Sequence, residues 1–88
     1  ESAVVYATEG GTVDAYGSAI VYAYDRSTVA VNMEAAVYVA SDDVDVEAWG
    51  NSKVYLPSAG VDGSQAEVCL EGDAEIIRGV DATTKLDN

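Results

Sequence analysis

The sequence predicts an all-β fold, a parallel β-solenoid of eight-residue strand-and-turn units with two units to each coil. Three observations carry this reading. Val5, Val13, Val21, Val29 and Val37 recur at an unbroken spacing of eight. A small apolar residue follows each of them two positions on: Ala7, Ala15, Ala23, Val31 and Val39. The residue between the two alternates by unit, with Tyr6, Tyr22, Tyr38 and Tyr55 in one set and Asp14, Ala30, Glu47 and Asp62 in the other. A column of like side chains at a fixed period is what stacked coils bury.

The elements follow in order. Each unit reads V-x-A-x-[G/D]-x-[S/A]-x, as in VDAYGSAI, VYAYDRST and VEAWGNSK. Apolar residues at its first and third positions describe a half-buried strand. Gly17, Asp25, Ser41 or Gly50 with small polar neighbours describe the turn that follows. One inserted residue near Asp45 shifts the register, and the series resumes at Val46 with Ala48 and at Val54 with Leu56. Residues 57–65 form an irregular unit in which Val61 marks a shortened repeat. Terminal coils over 66–82 recover the pattern at Val68, Leu70 and Ile76, and 83–88 form a tail. The 88 residues thus make a single domain, with regular repeats over 3–56. An antiparallel meander of eight-residue units gives no reason for the same side chain to recur in every unit. A three-unit triangular coil would scatter the tyrosines around a prism. Two units per coil place a tyrosine ladder on one face and carboxylates on the opposite face, with Tyr16, Asn32 and Trp49 two positions further along.

Composition fits a narrow interior. Val and Ala contribute 14 residues each, Leu three and Phe none, so the core is built from small side chains. Strand formers dominate, and helix formers other than Ala are few. Sixteen Asp and Glu stand against four Lys and Arg, a net charge of −12, while 49% of residues are hydrophobic. That apolar fraction excludes intrinsic disorder. The sign of the charge excludes direct binding to nucleic acid or to anionic lipid, and no apolar run is long enough for a helical membrane span. A lone Cys69 makes no intrachain disulfide. The chain opens on Glu1 rather than Met, so a few preceding residues are expected. A cytoplasmic protein is the expectation.

Catalysis is not expected. With no His there is no ordinary general base near neutral pH and no Ser/His or Cys/His pair. Cys69 lies between the inward Val68 and Leu70 and so points outward, where Glu67 and Glu71 discourage a thiolate. No catalytic residue, cofactor or metal is therefore assigned. Calcium would need an Asp at a fixed offset in every turn. The turns instead hold Glu9, Gly17, Asp25, Met33, Ser41 and Gly50 at the equivalent place, leaving at most an incidental site at Ser41-Asp42-Asp43.

The charge itself is the remaining feature. Its magnitude exceeds the 2–8 or so that keeps a small domain soluble. Residues 1–40 carry a net −4 and residues 41–88 a net −8. Five coils at roughly 4.8 Å each make a rod of about 24 Å, with about one net charge per 2 Å against about 1.7 Å in duplex DNA. Such a rod is expected to enter a basic groove made for nucleic acid.

The stretch VDAYGSAIVYAYDRSTV, continued by VEAWGNSKV, resembles the tandem A-Y-G/D-x-S/A-x-V repeats of bacterial and phage proteins, over residues 3–56. The resemblance implies a right-handed parallel β-solenoid and leaves function open. In size and charge the chain also resembles the small acidic phage-borne proteins that imitate nucleic acid, among them anti-CRISPR and anti-restriction inhibitors and the pentapeptide-repeat β-helices that bind gyrase. Together these give the functional expectation: a non-enzymatic inhibitor of a basic nucleic-acid-binding protein or complex. Asp42, Asp43, Asp45, Glu47, Asp62, Glu67, Glu71, Asp73 and Glu75 would supply the phosphate-like field, with Trp49 or Tyr16 as aromatic anchor. The chain would act as a monomer or a weak end-to-end homo-oligomer. The other expectation is a structural or assembly repeat module of a phage or cell-surface fibre.

Overall fold

A computed structural model describes residues 4–79. Nine four-residue strands follow one another: β1 (Val4–Ala7), β2 (Thr12–Ala15), β3 (Ile20–Ala23), β4 (Thr28–Val31), β5 (Ala36–Val39), β6 (Asp45–Ala48), β7 (Lys53–Leu56), β8 (Glu67–Leu70) and β9 (Glu75–Arg78). Odd strands form one sheet in the order β1-β3-β5-β7-β9, and even strands form the other in the order β2-β4-β6-β8. Every pairing is parallel. Consecutive strands therefore lie in opposite sheets, and the chain is a two-sided β-solenoid with one unit of the repeat on each side.

Register follows the repeat. Val5, Val21, Val37, Val54 and Ile76 stack in one sheet, and Val13, Val29, Val46 and Val68 stack in the other. The second inward column runs Ala7, Ala23, Val39 and Leu56 on one side. On the other it runs Ala15, Val31 and Ala48 and ends at β8 on Leu70, which is 42% exposed, a correction to the inward position read from the repeat. The buried hydrophobic core consists of Val and Ala with Leu56, as a narrow gap between two close sheets requires. At β9 the second column ends on Arg78, whose guanidinium donates to the Ser64 carbonyl at 3.2 Å.

Most strands are joined by four-residue corners closed by an i to i+3 hydrogen bond. Examples are Ala19 N–H to the Tyr16 carbonyl and Ser52 N–H to the Trp49 carbonyl. Of the turn positions read from the repeat, Glu9, Gly17, Asp25, Met33 and Gly50 have positive φ, and Ser41 does not. On the side that carries Trp49 the corners stack in one column: Gly17, Met33, Gly50 and Gly72 have φ of 65°, 59°, 64° and 63°. Met33 alone there bears a side chain in the left-handed region, and its N–H donates to Asn32 Oδ1 at 2.7 Å.

The opposite edge breaks this regularity twice. The inserted residue lengthens the corner between β5 and β6 to five residues, Ala40–Val44, so its carbonyls no longer meet the coil before it. Side-chain oxygens stand in: Asp25 N–H donates to Ser41 Oγ at 3.1 Å, and Arg26 N–H donates to Asp43 Oδ1 at 3.2 Å. The second break is residues 57–66. Pro57 is buried and has no N–H to continue the ladder, and the segment makes turns rather than a strand. Val61 is 42% exposed and marks no shortened repeat, which corrects that expectation. The principal extents are 29 × 24 × 22 Å, so the molecule is nearly as thick as it is long. The sequence-predicted tail 83–88 lies outside the described residues.

Candidate interaction surfaces

The two sheets turn chemically different faces outward. On the five-stranded sheet Tyr6, Tyr22, Tyr38 and Tyr55 occupy successive rungs. Their ring centroids lie 5.3, 5.2 and 4.5 Å apart, with interplanar angles of 18°, 36° and 25°. The spacing is that of the strands, so each ring lies against the next, and Ile77 takes the rung after Tyr55. Stacking consumes the inner ring faces, which makes the ladder a stabilising element before anything else. Burial raises the Tyr38 phenol above its ordinary range, and the neighbouring Tyr55 and Tyr22 add to the shift. Beside the ladder run Val4, Ile20, Ala36, Lys53 and Glu75, the last two forming an ion pair at 3.3 Å.

The four-stranded sheet presents Thr12, Thr28, Asp45 and Glu67 in one column and Asp14, Ala30, Glu47 and Cys69 in the next. Cys69 rather than Asp62 follows Glu47, which corrects the column drawn from the repeat: Asp62 lies in the 57–66 segment. Cys69 is exposed, as the alternation required. Asp45 and Glu67 are in direct register one rung apart, and no Lys or Arg stands in either column. Thr28, Asp45, Val46, Glu47, Glu67 and Cys69 line a shallow depression of about 360 Å³.

The nine predicted acidic residues do not share one face. Asp45, Glu47 and Glu67 lie together on the four-stranded sheet. Asp42, Asp43 and Asp62 lie at one edge, and each accepts a backbone N–H. Glu71 and Asp73 lie at the other edge, in the corner between β8 and β9. Glu75 is on the tyrosine side and is paired with Lys53. Among the described residues, no three of His, Cys, Asp and Glu converge as a metal site.

Both predicted aromatic anchors fall in one groove. Tyr16, Asn32 and Trp49 stand at successive corners, since Asn32 N–H donates to the Ala15 carbonyl and Trp49 N–H to the Val31 carbonyl. Glu71 continues this column, its N–H donating to the Ala48 carbonyl. Tyr16 and Trp49 line a groove of about 230 Å³ together with Asp14, Ala30, Asn32 and Glu47. Tyr16 is 60% exposed and Trp49 half-buried. Asp14 lies outside the acidic surface that the charge count points to, beyond residue 40. Its place one residue after a key valine, shared with Glu47, is the signal that finds it.

Comparison with protein families, with curated proteins and with solved structures finds no match.

Proposed function

We propose that this protein is a non-enzymatic acidic ligand for a basic nucleic-acid-binding protein, occupying the groove that would otherwise hold nucleic acid. One observation carries the reading: Asp45 stacks directly on Glu67 beside Glu47, with no cation in either outward column. Like charges in register cost stability, whereas on the opposite sheet the residues in register are the oppositely charged Lys53 and Glu75. A cost left standing on one flat face is understandable when a partner supplies the missing positive charge. Thirteen carboxylates and three cations among residues 4–79 extend the same field to both edges. The proposed partner class is a CRISPR or restriction complex of a bacterial cytoplasm, with the chain taking the place of its nucleic-acid ligand.

The test is competition with duplex DNA for such a complex at several salt concentrations. Affinity is expected to fall steeply with salt and to drop at least tenfold in Asp45→Asn/Glu47→Gln/Glu67→Gln, with the fold retained. Binding that is flat with salt and indifferent to the triple variant would overturn the reading.

A further inference from the structure

We infer that the groove between Asp14 and Glu47 is a receptor for an arginine side chain of the partner protein. The inference rests on the proposed acidic-ligand function and names its point of attachment.

The groove exists because of one small residue. In the outward column Asp14–Ala30–Glu47, Ala30 leaves a rung without a long side chain. Two carboxylates therefore face one another across an empty rung, their strands two intervals or roughly 9.6 Å apart. On the corner column the same three rungs carry Tyr16, Asn32 and Trp49. Each outer rung thus pairs a carboxylate with an aromatic ring, Asp14 with Tyr16 and Glu47 with Trp49, and all four side chains line the same groove. Two rungs apart, Tyr16 and Trp49 cannot stack on each other as the ladder tyrosines do.

This combination selects among cations. A guanidinium is planar and weakly hydrated, with flat faces that stack on aromatic rings and donors around its rim that fork onto carboxylates. An ammonium has neither the plane nor the fork. A calcium ion holds its oxygens at 2.3–2.6 Å, and carboxylates whose strands lie two rungs apart do not close around one as a compact ligand set. A phosphate or a nucleotide meets two negative charges at the entrance. The arginine side chain is the occupant that uses both parts of the lining.

The only tryptophan of the chain reports on the groove. Trp49 fluorescence is titrated with N-acetyl-arginine amide and, separately, with N-acetyl-lysine amide at matched ionic strength. A saturable change with arginine is expected, at least fivefold tighter than with lysine. Ala30→Gln fills the rung and keeps every charge; Glu47→Gln keeps the shape and removes one carboxylate. Each is expected to weaken arginine binding about tenfold, with unchanged circular dichroism. Equal affinities for arginine and lysine, or an Ala30→Gln variant that binds arginine as the parent does, would overturn the assignment. The two readings fail separately. Arginine binding without DNA competition sinks the mimicry and leaves the groove, whereas DNA competition undisturbed by Ala30→Gln sinks the groove and leaves the mimicry.

Discussion

Asp42 and Asp62 are joined backbone to side chain: the Asp42 N–H donates to Asp62 Oδ1 at 2.9 Å. Asp42 returns its own carboxylate to the same segment, where Oδ1 accepts the N–H of Gly63 at 2.8 Å and of Gln65 at 2.9 Å. Two acids that read in the sequence as free surface charge thus fasten the ten-residue segment 57–66 to the corner before β6. Hydrogen bonds to a charged group contribute about 1.5–3 kcal/mol each when buried and less when exposed. Asp42→Ala is therefore expected to destabilise the fold by about 1–3 kcal/mol in chemical denaturation, with Asp45→Ala, which caps nothing, at or above parental stability. Equal losses would mean that charge rather than capping is what Asp42 provides.

Gly63 lies in the same fastening. Its φ is 106°, and a Cβ there would meet the Val39 carbonyl oxygen at 2.9 Å. Both the dihedral and the contact exclude a side chain, so the segment is seated by glycine as much as by Asp42.

Met33 is expected to be improved by removal of its side chain. Gly17, Gly50 and Gly72 fill the matching corners, and Met33 holds φ of 59° with a side chain that is 58% exposed. A non-glycine residue in that region costs roughly 1–2 kcal/mol, partly offset by the greater freedom of glycine in the unfolded chain. Met33→Gly should raise stability by about 0.5–1 kcal/mol, read as a higher Tm at unchanged denaturant slope. A lower Tm would show that the methionine side chain holds the corner.

Ser52 offers a second stabilising change. Its side chain is fully buried and its Oγ has no hydrogen-bond partner, while Ala35 holds the equivalent corner one coil away. Burying an unsatisfied hydroxyl costs on the order of 1–3 kcal/mol. Ser52→Ala is expected to be neutral or stabilising by up to about 1 kcal/mol in thermal unfolding. A clear loss of stability would mean that the hydroxyl is satisfied in solution.

The tyrosine ladder predicts an alkaline limit. The Tyr38 phenol is raised above its ordinary value of 10.0, so the folded state keeps this proton after the unfolded chain has begun to release it. The stability that Tyr38 contributes is complete below pH 10 or so and is lost as pH climbs through its folded value. Tyr38→Phe should flatten the fall in stability above that point and leave the neutral range unaffected by titration. A parental stability curve that stays level through phenolate formation would contradict the shift.

The sequence by itself determined the repeat, and with it the parallel register, the two-unit coil, the small-residue core and the face on which each outward residue lies. The physical reason is periodicity: stacking identical units is the only way each can bury its half-apolar strand, so position in the octad fixes position in space. Where the period breaks, that inference stops. Asp62 reads as an outward rung although Cys69 holds it, and Val61 reads as a shortened repeat although it lies among the turns of the 57–66 segment. Only the tertiary structure decided that Asp42, Asp43 and Asp62 cap backbone donors around these breaks, because those partners lie 17 to 23 residues away along the chain. It also decided that Asp14 and Glu47, 33 positions apart, face each other across Ala30, which is a distance of two rungs once the coils are wound.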